Sequence, residues 1–158
     1  MLDVAVITIS DRAFRGTYQD ISGPTIVELI SESPIKANVS LTIVPDDKAQ
    51  IKTTLLQNIG KDYIITTGGT GISPRDVTPE VTAEVCDRAL PGVAEMLRFE
   101  SYRTTKNAVF SRGYCGVRGN TIIINFPGSV AAVTLCTKLI LPILEHGKKM
   151  LQGGKHSP

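Results

Sequence analysis

Short runs of β-branched residues alternate along the chain with segments in which apolar side chains recur at helical spacing. Strands are predicted at residues 4–9, 38–44, 63–66 and 121–126, where apolar residues alternate or form a short continuous run. Strands that alternate with helices in this way are typical of βαβ units, which build a parallel sheet. The pattern therefore predicts an α/β fold with a mostly parallel central sheet.

Capping and breaking residues mark the ends of the predicted helices. Residues 22–24, with a proline near the first turn, start the first helix, which ends by Pro34. Asp47 caps the second helix and Gly60 closes it. Thr78 is predicted to cap the third helix, whose first turn contains a proline and a glutamate.

The second half of the chain is predicted to finish the sheet and then turn helical. Residues 91–92 break the third helix, and a short helix follows. Residues 108–117 are predicted to be extended and to reach the last strand through a tight turn at 118–120. Ser129 caps a final helical region that Pro142 divides.

Length, charge and cysteine usage narrow the class of protein. The 158 residues predict one domain, with a flexible tail at 153–158, and neither a repeat nor a linker is visible. The net charge of +2 argues against a nucleic-acid or membrane surface partner. Cys86, Cys115 and Cys136 lack zinc-site spacing and are predicted to be buried thiols. No signal peptide and no apolar stretch of about 20 residues is recognised, so we expect a cytoplasmic protein.

Unusual polar or glycine-rich loops follow four of the predicted strands at their C-terminal ends. In open α/β sheets, ligands bind at this edge, near a switch in strand order. We therefore expect one substantial pocket there. The four loops are residues 10–12, 45–47, 67–76 and 126–129.

The most distinctive loop is the glycine-rich stretch at residues 68–73. Glycine leaves backbone N–H groups unobstructed and permits positive φ, so such a loop can wrap an anion or lie against a ring system. It matches neither the dinucleotide fingerprint nor the P-loop pattern. The alternative interpretation is a tight connection between a strand and a helix.

Carboxylates in these loops predict a cation site. Asp46 and Asp76 could together hold Mg²⁺, which takes one or two protein oxygens and completes its shell with water and substrate phosphates. Asp47 is better explained as a helix cap. Asp76 has the alternative of a cap or a partner for Arg75, so Asp46 is the stronger candidate.

Two further polar segments leave both a functional and a structural interpretation open. Residues 11–20 are either a binding lid or a flexible surface loop. Arg112 and Arg118 either bring guanidinium groups to a substrate phosphate or are exposed on a strand. His146 and His156 come late in the chain, away from the predicted strand ends, which argues against a Ser-His-Asp relay.

Taken together, the motifs resemble the MogA/MoaB family and the related gephyrin G domain over nearly the whole chain. The glycine-threonine loop joined to R-D-V-T-P-E is the most specific part, although the same fold also occurs in MoeA and CinA proteins. The motifs, in order, are V-I-T-I-S-D-R at 6–12, G-x-Y-x-D-x-S-G-P at 16–24, P-D at 45–46, T-G-G-T-G-x-x-x-R-D-V-T-P-E at 67–80, P-G at 91–92, S-R at 111–112 and N-x-P-G at 125–128.

The resemblance implies a three-layer α/β/α sandwich that forms a homotrimer and acts as a molybdopterin adenylyltransferase. Such an enzyme joins AMP from Mg-ATP to the molybdopterin phosphate, releases pyrophosphate, and passes its product to a MoeA-type insertase. It implies that Asp46 and Asp76 are catalytic and bind Mg²⁺. The residues that it implies for substrate binding are Ser10, Asp11, Arg12, Asp20, Gly68, Gly69, Thr70, Gly71, Arg75, Ser111, Arg112, Pro127, Gly128 and Ser129. The alternatives are a catalytically silent MoaB-type pterin binder and a scaffold module.

Overall fold

A six-stranded mixed sheet forms the centre of the computed structural model, which describes residues 1–154. Strands β2, β1, β3 and β6 lie side by side and parallel, and β5 and β4 extend the sheet as an antiparallel edge. The strands are β1 (Leu2–Ile9), β2 (Ala37–Val44), β3 (Tyr63–Thr67), β4 (Arg88–Ala89), β5 (Cys115–Arg118) and β6 (Thr121–Phe126).

Seven helices of residues 1–154 cover the two faces of this sheet. They are α1 (Asp11–Arg15), α2 (Ser22–Glu32), α3 (Lys48–Gln57), α4 (Thr78–Val85), α5 (Pro91–Thr104), α6 (Val130–Ile140) and α7 (Leu144–Leu151), with 3₁₀ segments at Lys106–Phe110 and Leu141–Ile143. This arrangement confirms the predicted three-layer α/β/α sandwich.

Alternation along the strands divides the core into two layers. Val4, Val6 and Ile65 point to the face covered by α2, α5, α6 and α7, whereas Ile7 and Ile64 point to the face covered by α3 and α4. Successive side chains of a strand point to opposite faces of the sheet. Because helices cover both faces, every position of β3 and all but one of β1 are buried, which explains why these strands are largely continuous apolar runs.

The chain passes from β1 to β2 on one side of β1 and then crosses to β3 on the other side, so the strand order switches between β1 and β3. All four parallel strands end at one edge of the sheet, where their following loops meet. This confirms that the four polar loops converge, and it places them at the switch point where α/β sheets bind ligands.

Several predicted boundaries need correction. Val77, not Thr78, is the N-terminal cap of α4, and α4 ends at Val85, before the short strand β4. Helix α5 has 14 residues and is not short. The first part of the predicted extended segment at 108–117 is a 3₁₀ turn, because Val109 and Phe110 face solvent and pair with no strand among residues 1–154.

The final helical region also departs from the prediction. The segment Val130–Leu151, with 22 residues and a mean hydropathy of 1.4, is long and apolar enough to cross a membrane by length and composition alone. The expectation that no such stretch exists is therefore corrected. The predicted division at Pro142 is confirmed as the 3₁₀ turn between α6 and α7. Residues of both helices pack in the core, including Cys136, Ile140 and Leu144.

Two other predictions concern the cysteines and the tail. Cys115 and Cys136 are buried free thiols, as predicted, whereas Cys86 is only partly buried. Gly153 and Gly154 donate hydrogen bonds to carbonyls at the end of α7. The rest of the predicted tail, including His156, lies outside the described residues.

Candidate functional site

The loop between β3 and α4 begins with residues 67–71, here called the glycine loop, which is held tightly against two strand ends. Gly68 and Gly69 have φ of 100° and 68°. A Cβ atom on Gly68 would lie 2.3 Å from the Ile9 carbonyl oxygen at the end of β1. On the other side, the Gly68 N–H donates to the Phe126 carbonyl at 3.2 Å. Glycine is therefore required by both conformation and space.

Thr78 fastens the glycine loop to the start of α4. Its hydroxyl donates to the Gly68 carbonyl at 3.0 Å, and its N–H donates to the Gly69 carbonyl at 3.2 Å. A Cβ on Gly69 would lie 2.3 Å from the Thr78 hydroxyl oxygen. The Thr78 side chain thus holds the loop and does not cap its own helix.

The glycine loop leaves three backbone donors unused. The N–H groups of Gly69, Thr70 and Gly71 donate to no protein acceptor within residues 1–154. Consecutive free N–H groups next to residues with positive φ form a concave site for anions. This part of the loop can therefore bind phosphate oxygens.

Asp46 and Asp76 flank the glycine loop. Asp46 Oδ1 lies 3.2 Å from the position that a Gly69 Cβ would take, and Asp76 Oδ2 lies 2.8 Å from the corresponding position at Gly71. Side chains at these two positions would displace the carboxylates. The backbone of the loop therefore runs directly past both acidic groups that the sequence predicted as a pair.

Asp11 and Asp46 hold each other through their backbones. The Asp11 N–H donates to Asp46 Oδ2 at 3.1 Å, and the Asp46 N–H donates to Asp11 Oδ1 at 3.0 Å. The Arg75 guanidinium forms an ion pair with the other oxygen of Asp11. These contacts join the ends of β1 and β2 to the segment that follows the glycine loop.

The two carboxyl groups respond differently to this arrangement. Burial raises the pKa of Asp46, and the charges of Asp11 and Asp76 raise it further, against the opposing hydrogen bond from Asp11 and the charge of Arg75. Burial also raises the pKa of Asp11, but the hydrogen bond from Asp46 and the Arg75 guanidinium outweigh it and lower that pKa overall. Asp46 is therefore the carboxylate that would gain most from a bound cation.

The donor set fits a magnesium ion better than a metal held by protein alone. No group of three or more His, Cys, Asp or Glu side chains that could hold a metal occurs among residues 1–154. Asp46 Oδ1 accepts no hydrogen bond from those residues and so remains available as a ligand. Mg²⁺ commonly binds one or two carboxylates and takes its remaining ligands from water and phosphates.

Asp20 and Ser10, which the resemblance implies for substrate binding, make hydrogen bonds within the protein. Asp20 accepts hydrogen bonds from the Thr8 hydroxyl at 2.7 Å and from the Gly23 N–H at 3.1 Å, which anchors α2. The Ser10 hydroxyl caps α1 by accepting from Ala13 N at 3.2 Å.

Arg12, an exposed residue of α1, stacks its guanidinium on the Tyr18 ring, with its Cζ atom 4.8 Å from the ring centroid. Residues 11–15 are helical, so neither predicted alternative for this region, a lid or a flexible loop, describes it fully.

Arg112 supports the glycine loop from outside. Its Nε donates to the Gly71 carbonyl at 2.8 Å, one terminal nitrogen donates to the Asp76 carbonyl at 2.9 Å, and the other forms an ion pair with Glu80. The hydrogen bond from Arg112 lowers the pKa of Glu80. Arg118, the other arginine considered for phosphate, lies at the β5–β6 hairpin beside Asp87.

A cleft of about 840 Å³ opens beside the glycine loop. Its walls are the loop, the first turns of α6, the end of α5 and the 3₁₀ segment that follows. The predicted site residues that line it are Gly68, Gly69, Thr70, Gly71, Asp76, Ser111, Pro127, Gly128 and Ser129. Ser10, Asp11, Arg12, Asp20, Asp46, Arg75 and Arg112 lie outside its lining.

Sequence reasoning missed the cleft wall formed by α5, the 3₁₀ segment and α6. The additional lining residues are Ile72, Ser101, Thr104, Thr105, Asn107, Ala108, Phe110, Ala131, Ala132, Thr134, Leu135 and Lys138. Their signal in the sequence is small and polar residues at helical spacing, such as Ser101, Thr104 and Thr105. That spacing alone cannot distinguish a cleft from solvent.

Asn125 also lies outside the predicted set of site residues, and its side chain joins the elements beneath the site. Its amide nitrogen donates to the hydroxyls of Thr66 and Thr82, each at 2.9 Å, and its carbonyl oxygen accepts from Tyr114 N at 3.1 Å. These buried hydrogen bonds link β6, β3, α4 and the segment before β5.

Comparison with known proteins places the chain in a family. Residues 5–146 match the model of a family described as "Probable molybdopterin binding domain". The chain is 34% identical over 158 residues to the molybdopterin adenylyltransferase of Helicobacter pylori strain J99, a match that covers 96% of this chain and 89% of that protein. It is 40% identical over 149 residues to the Drosophila melanogaster molybdenum cofactor synthesis protein cinnamon. That match covers 92% of this chain and 25% of cinnamon.

Solved structures agree with these matches. The chain superposes on the crystal structure of the molybdopterin biosynthesis enzyme MoaB from Thermus thermophilus with a TM-score of 0.87 and 39% identity, covering 99% of this chain and all of that one. The family model and the relatives together show that the chain belongs to the MogA/MoaB family of molybdopterin-binding domains.

Proposed function

We propose that this protein is a molybdopterin adenylyltransferase, which transfers AMP from ATP to the phosphate of molybdopterin and releases pyrophosphate. The observation that carries the proposal is the glycine loop, with three unused N–H donors, lying between Asp46 and Asp76 beside a cleft of about 840 Å³. The similarity to proteins named molybdopterin adenylyltransferase supports the same conclusion.

The reaction needs positioning more than proton transfer. A phosphate oxygen of the pterin forms a bond to the α-phosphorus of ATP, and the bond from that phosphorus to the pyrophosphate oxygen breaks. A phosphate monoester has its second pKa at about 6, so it is largely ionised at neutral pH and needs little base catalysis. Chain groups that can position the phosphates are the free N–H groups of the glycine loop and the N-terminus of α6.

Asp46 and Asp76 would hold Mg²⁺, which when bound would screen the charges of the two polyanionic substrates. Burial and the charges of Asp11 and Asp76 raise the pKa of Asp46, which supports this assignment because a bound cation would offset that cost. We also propose that Asp11 and Arg75 orient Asp46, through the reciprocal backbone contacts and the ion pair.

The test is pyrophosphate release from purified protein given molybdopterin, ATP and Mg²⁺, with controls that lack pterin or contain EDTA. Asp46→Asn and Asp76→Asn should each lower kcat by about a hundredfold or more, the loss typical of removing one electrostatic contact to a transition state. Asp47→Asn is the matched control. Asp47 caps α3 through a hydrogen bond from Gln50 N, and asparagine caps a helix equally well. Wild-type rates in either of the first two variants would contradict the assignment.

A second candidate is a pterin-binding protein without transferase activity. It is favoured by the 39% identity to a structure named MoaB, since MoaB-type proteins share most of these motifs. The retained Asp46 and Asp76 favour the enzyme. Molybdopterin binding with no pyrophosphate release under the conditions above would favour the silent binder.

We further propose that the chain forms a homotrimer and passes its product to a MoeA-type insertase. Phe99, Tyr102, Val109 and Phe110 are exposed on α5 and the 3₁₀ segment, and burial of these side chains in an oligomer supports the first part. Light scattering should give three times the monomer mass of 17.0 kDa, and a stable monomer would contradict it. Release of adenylylated pterin only on addition of an insertase would support the second part.

A further inference from the structure

An exposed segment carries Asp76, one of the two proposed metal ligands. The segment, residues 71–76, follows the glycine loop, and the four residues between Gly71 and Asp76 are all exposed. We propose that Arg112 and Glu80 are positioning residues, which hold this segment so that the Asp76 carboxylate stays available to a cation. The inference rests on the proposed function, because it assigns the support of a proposed Mg²⁺ ligand.

Packing in the core does not fix the position of the segment, because none of residues 71–76 is buried. Two hydrogen bonds within the segment form a turn. The Asp76 N–H donates to the Ser73 carbonyl at 2.9 Å, and the Ser73 N–H donates to Asp76 Oδ2 at 3.0 Å. This turn orients the carboxylate within the segment. The place of the segment in the protein must come from polar contacts with other elements.

Arg112 supplies three of these contacts and bonds to both ends of the segment. Its Nε donates to the Gly71 carbonyl at 2.8 Å, and one terminal nitrogen donates to the Asp76 carbonyl at 2.9 Å. Its backbone N–H donates to the Thr70 carbonyl at 2.8 Å. A guanidinium group is planar and rigid, so two of its nitrogens on two carbonyls fix the separation of those carbonyls. Arg112 thereby sets where Asp76 lies relative to the free N–H groups of the glycine loop.

Glu80 holds the guanidinium of Arg112 in this place. It forms an ion pair with the remaining terminal nitrogen, from the first turn of α4. The same helix start holds the glycine loop through Thr78. Among residues 1–154, Arg112 forms no ion pair with the Asp76 carboxylate. Without Glu80, the freed nitrogen can pair with that carboxylate, and a paired carboxylate is a poorer ligand for a cation.

This role differs from the phosphate contact that the resemblance implies for Arg112. Asp76 lines the cleft, whereas Arg112 and Glu80 do not. A guanidinium that bound a substrate phosphate through the nitrogen paired with Glu80 would first have to leave Glu80. The two roles therefore predict opposite effects of removing the Glu80 charge. Cation binding weakens if Glu80 positions Arg112, and substrate binding tightens if Glu80 competes with a phosphate.

The experiment compares Glu80→Gln with Glu84→Gln in metal-free protein, without pterin or ATP. Glu84 lies on the same helix and forms an exposed ion pair with Lys52 at 3.5 Å, so both changes remove one paired negative charge from α4. Mn²⁺ is titrated and followed by electron paramagnetic resonance. Its Kd should rise about tenfold in Glu80→Gln, the smaller loss typical of removing a group that orients a metal ligand. Glu84→Gln should match wild type. Absence of Mn²⁺ binding to the wild-type protein would overturn the inference.

Stability and hydrogen exchange separate positioning from damage to the fold. Exposed ion pairs contribute little to stability, so both variants should unfold at the urea midpoint of the wild-type protein. The amides of Ser73 and Asp76 should exchange faster in Glu80→Gln than in Glu84→Gln, because the segment that they hold together is less firmly placed. Equal exchange together with equal Mn²⁺ affinity would overturn the inference.

Steady-state pyrophosphate release gives the last test. In Glu80→Gln, the half-saturating Mg²⁺ concentration should rise about tenfold, while kcat at saturating Mg²⁺ stays at the wild-type value because excess metal fills the same site. A lower KM for ATP or molybdopterin would overturn the inference and assign Arg112 to a phosphate. If no protein releases pyrophosphate but only Glu80→Gln binds Mn²⁺ more weakly, the proposed function fails and this inference stands.

Discussion

The glycine loop has no room for a methyl group at Gly69, and Gly69→Ala tests this directly. The added Cβ would lie 2.3 Å from the Thr78 hydroxyl oxygen and 3.2 Å from Asp46 Oδ1. Either Thr78 gives up its hydrogen bond to the Gly68 carbonyl, or the loop moves away from α4. Both responses also move the backbone beside Asp46.

Two contributions set the size of the effect. Alanine at a φ of 68° costs about 1–2 kcal/mol in backbone conformation. Forcing a methyl group into a filled space costs about 1–3 kcal/mol more, which includes the lost hydrogen bond of Thr78. We therefore expect Gly69→Ala to lower the free energy of unfolding by roughly 2–5 kcal/mol.

Urea denaturation of Gly69→Ala and Gly119→Ala separates the two contributions. Gly119, in the β5–β6 turn, has a φ of 55°, and a Cβ there would meet nothing within 4 Å. Gly119→Ala should therefore show the backbone cost alone. The effect of alanine on the unfolded chain is shared by both variants and cancels in the comparison. Equal losses in the two variants would refute the claim that Thr78 fills the space at Gly69.

A double variant identifies the group responsible. Thr78→Ala removes the clashing hydroxyl and leaves its Cβ at 3.4 Å from the new methyl group, an ordinary contact. The double variant Gly69→Ala/Thr78→Ala should therefore be more stable than the sum of the single changes predicts. Additive losses would show that the strain lies elsewhere.

Three other predictions follow from the contacts of single residues. Asp46→Asn should raise the urea midpoint at pH 7 while lowering kcat, because the neutral amide escapes the cost of burying a charge and the repulsion from Asp11 and Asp76. The gain in stability should vanish as the pH falls through the raised pKa of Asp46, where the wild-type carboxyl is itself neutral. Asp20→Ala should lower the free energy of unfolding by about 1–3 kcal/mol, because the hydrogen bonds that anchor α2 are lost. The activity per folded molecule, measured as pyrophosphate release, should stay at the wild-type value. Arg112→Lys should raise the KM for both substrates, because lysine cannot bond to two loop carbonyls and to Glu80 at the same time. KM values equal to those of the wild-type protein would contradict this role.

The parts of the site that follow strands could be predicted from the sequence. Parallel strands end at one edge, so the position of Asp46 after β2 and of the glycine loop after β3 brings them together once the strands are recognised. Asp47 and Ser129 were predicted as caps for an equally local reason, since a cap bonds to its own helix.

The parts that depend on contacts distant in sequence could not be predicted. Asp20 and Arg112 are polar loop residues of the kind found in binding sites, but Asp20 accepts from the Thr8 hydroxyl of β1, and Arg112 donates to the Gly71 carbonyl, 41 positions earlier. Nothing in their local sequence separates a side chain that faces a ligand from one that binds the backbone.

The wall formed by α5 and α6 was missed for the same reason. Ser101 and Lys138 lie 37 positions apart in the sequence and line one cleft only because α5 and α6 pack beside each other. Residues 108–110 were predicted to be extended, yet no strand of the described residues pairs with them, and they form the end of a 3₁₀ turn.

The charges of the site support the proposal that a cation binds there. Asp11, Asp46 and Asp76 concentrate negative charge at the edge where two polyanions are proposed to bind. The nearest arginines do not balance that charge freely, because Arg75 is paired with Asp11 and Arg112 is bonded to loop carbonyls and Glu80. Backbone N–H groups can orient phosphates but carry only partial charge. We propose that a divalent ion on Asp46 and Asp76 supplies the remaining compensation, because Mg²⁺ binds carboxylate oxygens together with substrate phosphates.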